Sequence, residues 1–81
     1  SRGSTVVQMT DTVVFETVYT LEKTYRVPRN EIRAGLLRVI DLPGIVLERK
    51  RVLREAFALY EAHPRLSFAD CVHAELARRS D

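Results

Sequence analysis

The hydrophobic positions of this chain recur with a helical period in four places and with a strand-like pattern in two, and proline, glycine or polar pairs mark the breaks between them. Thr5 to Met9, TVVQM, is short, β-branched and bounded by polar residues, which predicts a strand. Thr10 or Asp11 can cap the next element, in which Val14, Val18, Leu21 and Tyr25 recur at helical spacing, so a helix is predicted over about Thr12 to Tyr25. Its β-branched residues lower the intrinsic propensity, and tertiary packing must hold it.

Pro28 opens a second helix where its missing N–H costs nothing, with Ile32, Leu36, Val39 and Ile40 as the buried stripe and Arg29, Glu31 and Arg33 facing away. Gly35 lowers propensity in the middle of that helix but allows another backbone to approach. Leu42-Pro43-Gly44 ends it, and Ile45-Val46-Leu47 reads as a short apolar strand. From about Glu48 the helical period returns, with Val52, Leu53, Ala56, Phe57, Leu59 and Tyr60 on a broad inner face. His63-Pro64-Arg65 breaks that helix, and the last one runs from about Ser67 to Arg79. The local count is four helices and one or two short strands.

Composition narrows the class without naming a function. The 81 residues are 46% hydrophobic and 30% charged with a net charge of +2, so they make one globular domain or part of one. A core of this size is marginal alone, and neighbouring chain or a partner is expected to cover it. Arg26, Arg29, Arg33, Arg38, Arg49, Lys50, Arg51 and Arg54 are locally dense, which suits either phosphate recognition or a solvated helix face. The single cysteine, Cys71, excludes an intrachain disulfide, fits a reducing compartment and reads as a small buried hydrophobe. No apolar run is long enough to span a membrane and no signal segment opens the chain, so the expected location is the cytoplasm. Residues 1–4, SRGS, are expected to be an expression remnant or a fragment end.

Two carboxylates stand out. Asp70 lies on a helix with Phe68, Val72 and Leu76 along one stripe and Ala74 and Ala77 near Asp70 on the other side, so neither face reads as solvated. Two readings follow: Ser67 is the N-cap and Asp70 completes a capping box at the third helical position, or Asp70 is buried and needs a cation beside it. Glu16, in DTVVFETVYTLEKTY, lies off the main apolar stripe with Thr12, Tyr19, Thr20 and Lys23 on its face, which suits a polar site or plain surface. Glu22 and Glu75 are weaker candidates because Arg or Lys lies close to each in sequence. His73, one turn beyond Asp70, reads as structural or supporting, and His63 as a loop residue. The histidines and cysteine are too dispersed for a zinc site, and no Gly-rich phosphate loop occurs. Tyr19, Tyr25 and Tyr60 are able to stack on bases, with packing the commoner role for each.

The order D-T-V-V-F-E-T-V-Y-T-L-E, then two helices, then L-S-F-A-D-C-V-H-A-E-L-A resembles the PIN domain, in particular the ribonuclease toxins of bacterial toxin–antitoxin pairs. The resemblance runs from about Val6 to Arg79 and takes in the P-R-N-E-I helix and the D-L-P-G-I turn. It implies an α/β class: a PIN-like α/β/α domain in the parent protein, of which this chain is a mostly helical fragment. It also implies an acidic cluster that holds Mg2+ or Mn2+. Glu16 matches the family's second acidic position and Asp70 its third, so both are expected to be catalytic metal ligands, direct or through water. The held cation would activate water against an RNA phosphodiester and neutralise the developing charge.

The resemblance places a first acidic residue upstream of this sequence and a fourth downstream, and neither Ser1 to Met9 nor Asp81 supplies one. Residues 5–81 are therefore expected to be a partial PIN-like domain lacking its first and last strands, poorly active or inactive alone. Expected partners are an RNA substrate, a cognate antitoxin, and a second copy of the chain in a homodimer that covers exposed apolar helix faces. The competing reading is a non-enzymatic helical protein-interaction module, in which Asp70 is a cap and Glu16 a surface group. A helical DNA-binding module fits less well, because no two helices are joined by the short glycine-containing turn of that motif.

Overall fold

A computed structural model describes residues 5–80. The expectations for residues 1–4 and for Asp81 lie outside the described residues. The order of elements is β1 (Val7–Gln8), α1 (Asp11–Lys23), α2 (Arg29–Ile40), β2 (Ile45–Val46), α3 (Lys50–Ala62) and α4 (Phe68–Ser80). Thr10 caps α1 through its side chain, which accepts from the Val13 N–H. That helix stops at Lys23, two residues short of the predicted end, and Arg26 turns the chain with a φ of 56°. Tyr25 thereby leaves the apolar stripe and is exposed.

The core lies between helices. α3 packs most extensively on α4 and next on α2, while α1 contacts both α2 and α4. Val14 and Val18 from α1, Ile32, Leu36 and Ile40 from α2, five residues of α3, and Phe68, Cys71 and Val72 from α4 form one buried cluster. Phe68 is its aromatic hub, with ring centroids 4.4 Å from Phe57, 5.4 Å from Phe15 and 5.7 Å from Tyr60. Edge-to-face and tilted contacts of this kind add to the area that each ring buries.

The expected α/β class is corrected by this architecture. β1 and β2 pair in parallel, Val7 with Ile45 and Gln8 with Val46, but each strand is two residues long and these are the strands of the described residues. A ladder of that length cannot serve as a layer on which helices pack. The described chain is four helices with a small parallel bridge at one end. Its register is held by the Val7 N–H donating to the Gly44 carbonyl at 2.7 Å and the Met9 N–H to that of Val46 at 2.9 Å. Gly44 has a φ of +88°, and a Cβ there would run into the Thr5 carbonyl oxygen, so this glycine is required by backbone and neighbour together.

Gly35 carries no such constraint. A Cβ built on it meets nothing within 4 Å, which corrects the expected close backbone approach. No helix among the described residues is long and apolar enough to cross a membrane. Val6, Val7, Leu42 and Val46, on and beside the ladder, are large apolar residues left exposed.

Candidate functional site

A groove of about 830 Å³ runs between α1 and the loop joining α3 to α4. Successive turns of α1 supply Glu16, Tyr19, Thr20 and Lys23 to one wall. Pro64, Arg65, Ser67, Phe68 and Ala69 form the other, and Arg29 reaches in from the start of α2. Phe15 and Phe68, whose rings meet edge to face, join the two walls at their base. Tyr19 is 66% exposed on the rim, so it is not packed away, whereas Tyr60 is fully buried in the core.

Glu16 lines this groove and is exposed. The opposite wall ends at Ala69, one residue before Asp70, and the Asp70 carboxylate is engaged elsewhere. Its Oδ2 accepts from the Ser67 N–H at 3.2 Å, while the Asp70 N–H donates to Ser67 Oγ at 3.0 Å. This reciprocal pair is a capping box, and it satisfies two backbone donors at the start of α4. Asp70 is exposed, which corrects the reading of it as a buried carboxylate in need of a cation. The cause is the alanine face of α4: Ala74 and Ala77 are exposed too, since one methyl group tolerates water and alanine favours the helix.

The buried carboxylate of α4 is Glu75, 3% exposed. Arg78 donates to both of its oxygens, at 3.0 and 2.6 Å, and Arg79 donates to Oε2 at 2.6 Å. The two Arg78 hydrogen bonds, with the one from Arg79, outweigh desolvation and bring the Glu75 carboxyl down to about 2. Glu22 is likewise partly buried and engaged: it accepts from the Tyr60 hydroxyl at 2.5 Å and lies 3.5 Å from Arg29 Nη2 and 3.4 Å from Lys23 Nζ. Burial pushes its carboxyl up, but the Tyr60 hydrogen bond and the two cations prevail and hold it below the usual value. The same burial and the Glu22 hydrogen bond push the Tyr60 hydroxyl up. Burial also raises the Cys71 thiol, the behaviour of an inert core cysteine.

Arg29 corrects the expectation that it faces away. Its guanidinium folds onto the α3–α4 loop, where Nη1 donates to the carbonyls of Tyr60 at 2.9 Å, His63 at 3.2 Å and Leu66 at 2.7 Å. Its Cζ also lies 4.1 Å from the centre of the Tyr60 ring. Partners of this kind are backbone oxygens, so no pairing of residue types in the sequence announces the contact.

No family model matches the chain, and neither does any curated protein or solved structure. Whatever this groove does is therefore read from its own residues. Among the described residues no group of three or more His, Cys, Asp and Glu side chains converges as a metal centre would require. Glu16 shares its wall with Glu22, which is taken up by Tyr60, Lys23 and Arg29, and Asp70 is committed to a cap. These two carboxylates by themselves do not fit a magnesium or manganese site, and no step through such an ion is derived from them.

Proposed function

We propose that this chain forms part of a ribonuclease of the PIN type, with the α1–α4 groove facing the RNA. The observation that supports this most is the pairing of distant segments: Glu16 lines one wall, and the other wall runs from the α3–α4 loop to Ala69 at the start of α4, directly before Asp70. Both positions matched by the family motif thus flank one groove, although only Glu16 opens into it. Lys23 and Arg65 place positive charge on opposite sides, suited to a phosphodiester backbone, and Tyr19, on the same wall as Lys23, offers an exposed ring for an unpaired base. Metal-dependent hydrolysis in such an enzyme needs further carboxylates beside these two, so weak activity is expected of the 81-residue chain.

The test is hydrolysis of single-stranded RNA by the protein in its full reading frame, with magnesium or manganese, against the single variants Glu16→Gln and Asp70→Asn. Loss of activity in both, with RNA still bound, supports the reading. Full activity in both overturns it. A second reading, a helical protein-interaction module, is favoured by one observation, the commitment of Asp70 to its capping box. It is the reading left standing if neither variant has an effect on RNA.

A further inference from the structure

We infer that the α3–α4 loop is built as a receptor for one guanidinium group and that Arg29 is its resident ligand. Three backbone carbonyls, those of Tyr60, His63 and Leu66, converge on a single nitrogen of Arg29. Tyr60 lies in the last turn of α3, where helix carbonyls lack intrahelical donors and carry the negative end of the helix dipole, and His63 is the C-cap residue just beyond it. The Tyr60 ring lies under the same guanidinium, and the Glu22 carboxylate stands beside its other terminal nitrogen. A planar cation with several donors in a fixed fork meets all these partners at once, which a single ammonium cannot do.

Filling this cage ties three segments together. Glu22 comes from α1, Arg29 from α2, and the carbonyls from the last turn of α3 and the α3–α4 connection that leads directly into Ser67 and the α4 cap. The wall of the groove formed by residues 64–69 is thereby closed against α1 through one side chain far away in sequence. Arg29 is a positioning residue in this scheme, and the inference holds whether or not the groove binds RNA.

Chemical rescue tests the cage directly. In Arg29→Ala the amides of Leu66, Ser67 and Asp70, which donate to His63, Asp70 and Ser67 respectively, are expected to exchange with solvent about tenfold faster or more. The amides of Val18 and Leu36 in the core are expected to change much less. Millimolar methylguanidinium chloride should restore a severalfold slowing at those three loop amides, while sodium chloride at equal ionic strength should not. Uniform acceleration at all five amides, or the same response to methylguanidinium in wild type and variant, would overturn the inference. Should Arg29→Ala fail to fold, Arg29→Lys decides: loop protection between that of wild type and full exposure supports a guanidinium-shaped cage, and protection equal to wild type refutes it.

Discussion

Phe68 meets three other rings inside the helical half of the molecule, whereas the two strands of the ladder meet chiefly through backbone hydrogen bonds and leave Val6, Val7 and Val46 in solvent. The two regions are thus held by different physics. Among the helices, buried area and ring contacts supply the stability, and side-chain volume is what matters. At the ladder, little apolar area is hidden, so backbone conformation and register matter more than the side chains that the strands carry.

Removing volume from the helical half should produce the largest loss. Phe57 is fully buried between Tyr60 and Phe68, with ring centroids at 6.3 and 4.4 Å, and Phe57→Ala is expected to cost about 3–5 kcal/mol in urea unfolding. A loss below about 1 kcal/mol, typical of a surface substitution, would mean that the rings are not the stabilising centre. At the other end the decisive substitution acts on the backbone. Gly44→Ala is expected to cost about 1–3 kcal/mol, because a side chain must adopt φ near +88° and displace the Thr5 carbonyl. Faster exchange of the Val7 and Met9 amides, with core amides of α3 nearly unchanged, would locate that damage in the ladder.

Acid titration sharpens the contrast through two ion pairs. Glu75 is buried beneath Arg78 and Arg79 in the helical half, and its carboxyl lies near 2 instead of the ordinary 4.5. A folded value below the unfolded one means that the stabilisation is complete above about pH 4.5 and is lost as the pH falls toward 2. Asp41, at the end of α2 near the ladder, is also lowered by the hydrogen bond from Arg54, but both partners are half-exposed, and solvent screens the pair. Glu75→Gln is therefore expected to flatten the fall of the urea midpoint between pH 5 and pH 2 visibly more than Asp41→Asn does. Equal flattening by the two would place the acid sensitivity outside the buried pair.

How much of this was legible in the sequence follows the same division. The stripes Val14–Val18, Ile32–Leu36–Ile40 and Val52–Leu53–Ala56–Phe57–Tyr60 locate the helices and their inner faces, because burial of side chains is what a 3.6-residue period records. The short runs TVVQM and IVL mark the strands but overstate them, since β-branched composition says nothing of how many residues a partner strand will pair. At the groove, the Ser67–Asp70 cap follows from three-residue spacing. The position of Glu16 opposite that turn depends on how α1 packs on α4, and no local pattern encodes it. Reading α4 as apolar all round misplaced the buried carboxylate, because alanine on a solvent face resembles alanine in a core. Arg29 was beyond reach for a related reason: its partners are carbonyl oxygens, which every residue carries alike.

The smallest expected effect carries the opposite sign and closes the comparison on a single chemical change. Gly35 sits in the middle of α2 with nothing within 4 Å of the place where a Cβ would go, and its backbone is helical. Gly35→Ala should therefore add about 0.5–1 kcal/mol of stability and so raise the urea midpoint, through reduced freedom of the unfolded chain and better helix propensity. The methyl group that destabilises at Gly44 is thus expected to stabilise nine residues earlier. A destabilising Gly35→Ala would mean that another backbone or a partner does approach α2 at that point, and would return to this glycine the close-contact role first read from its place in the sequence.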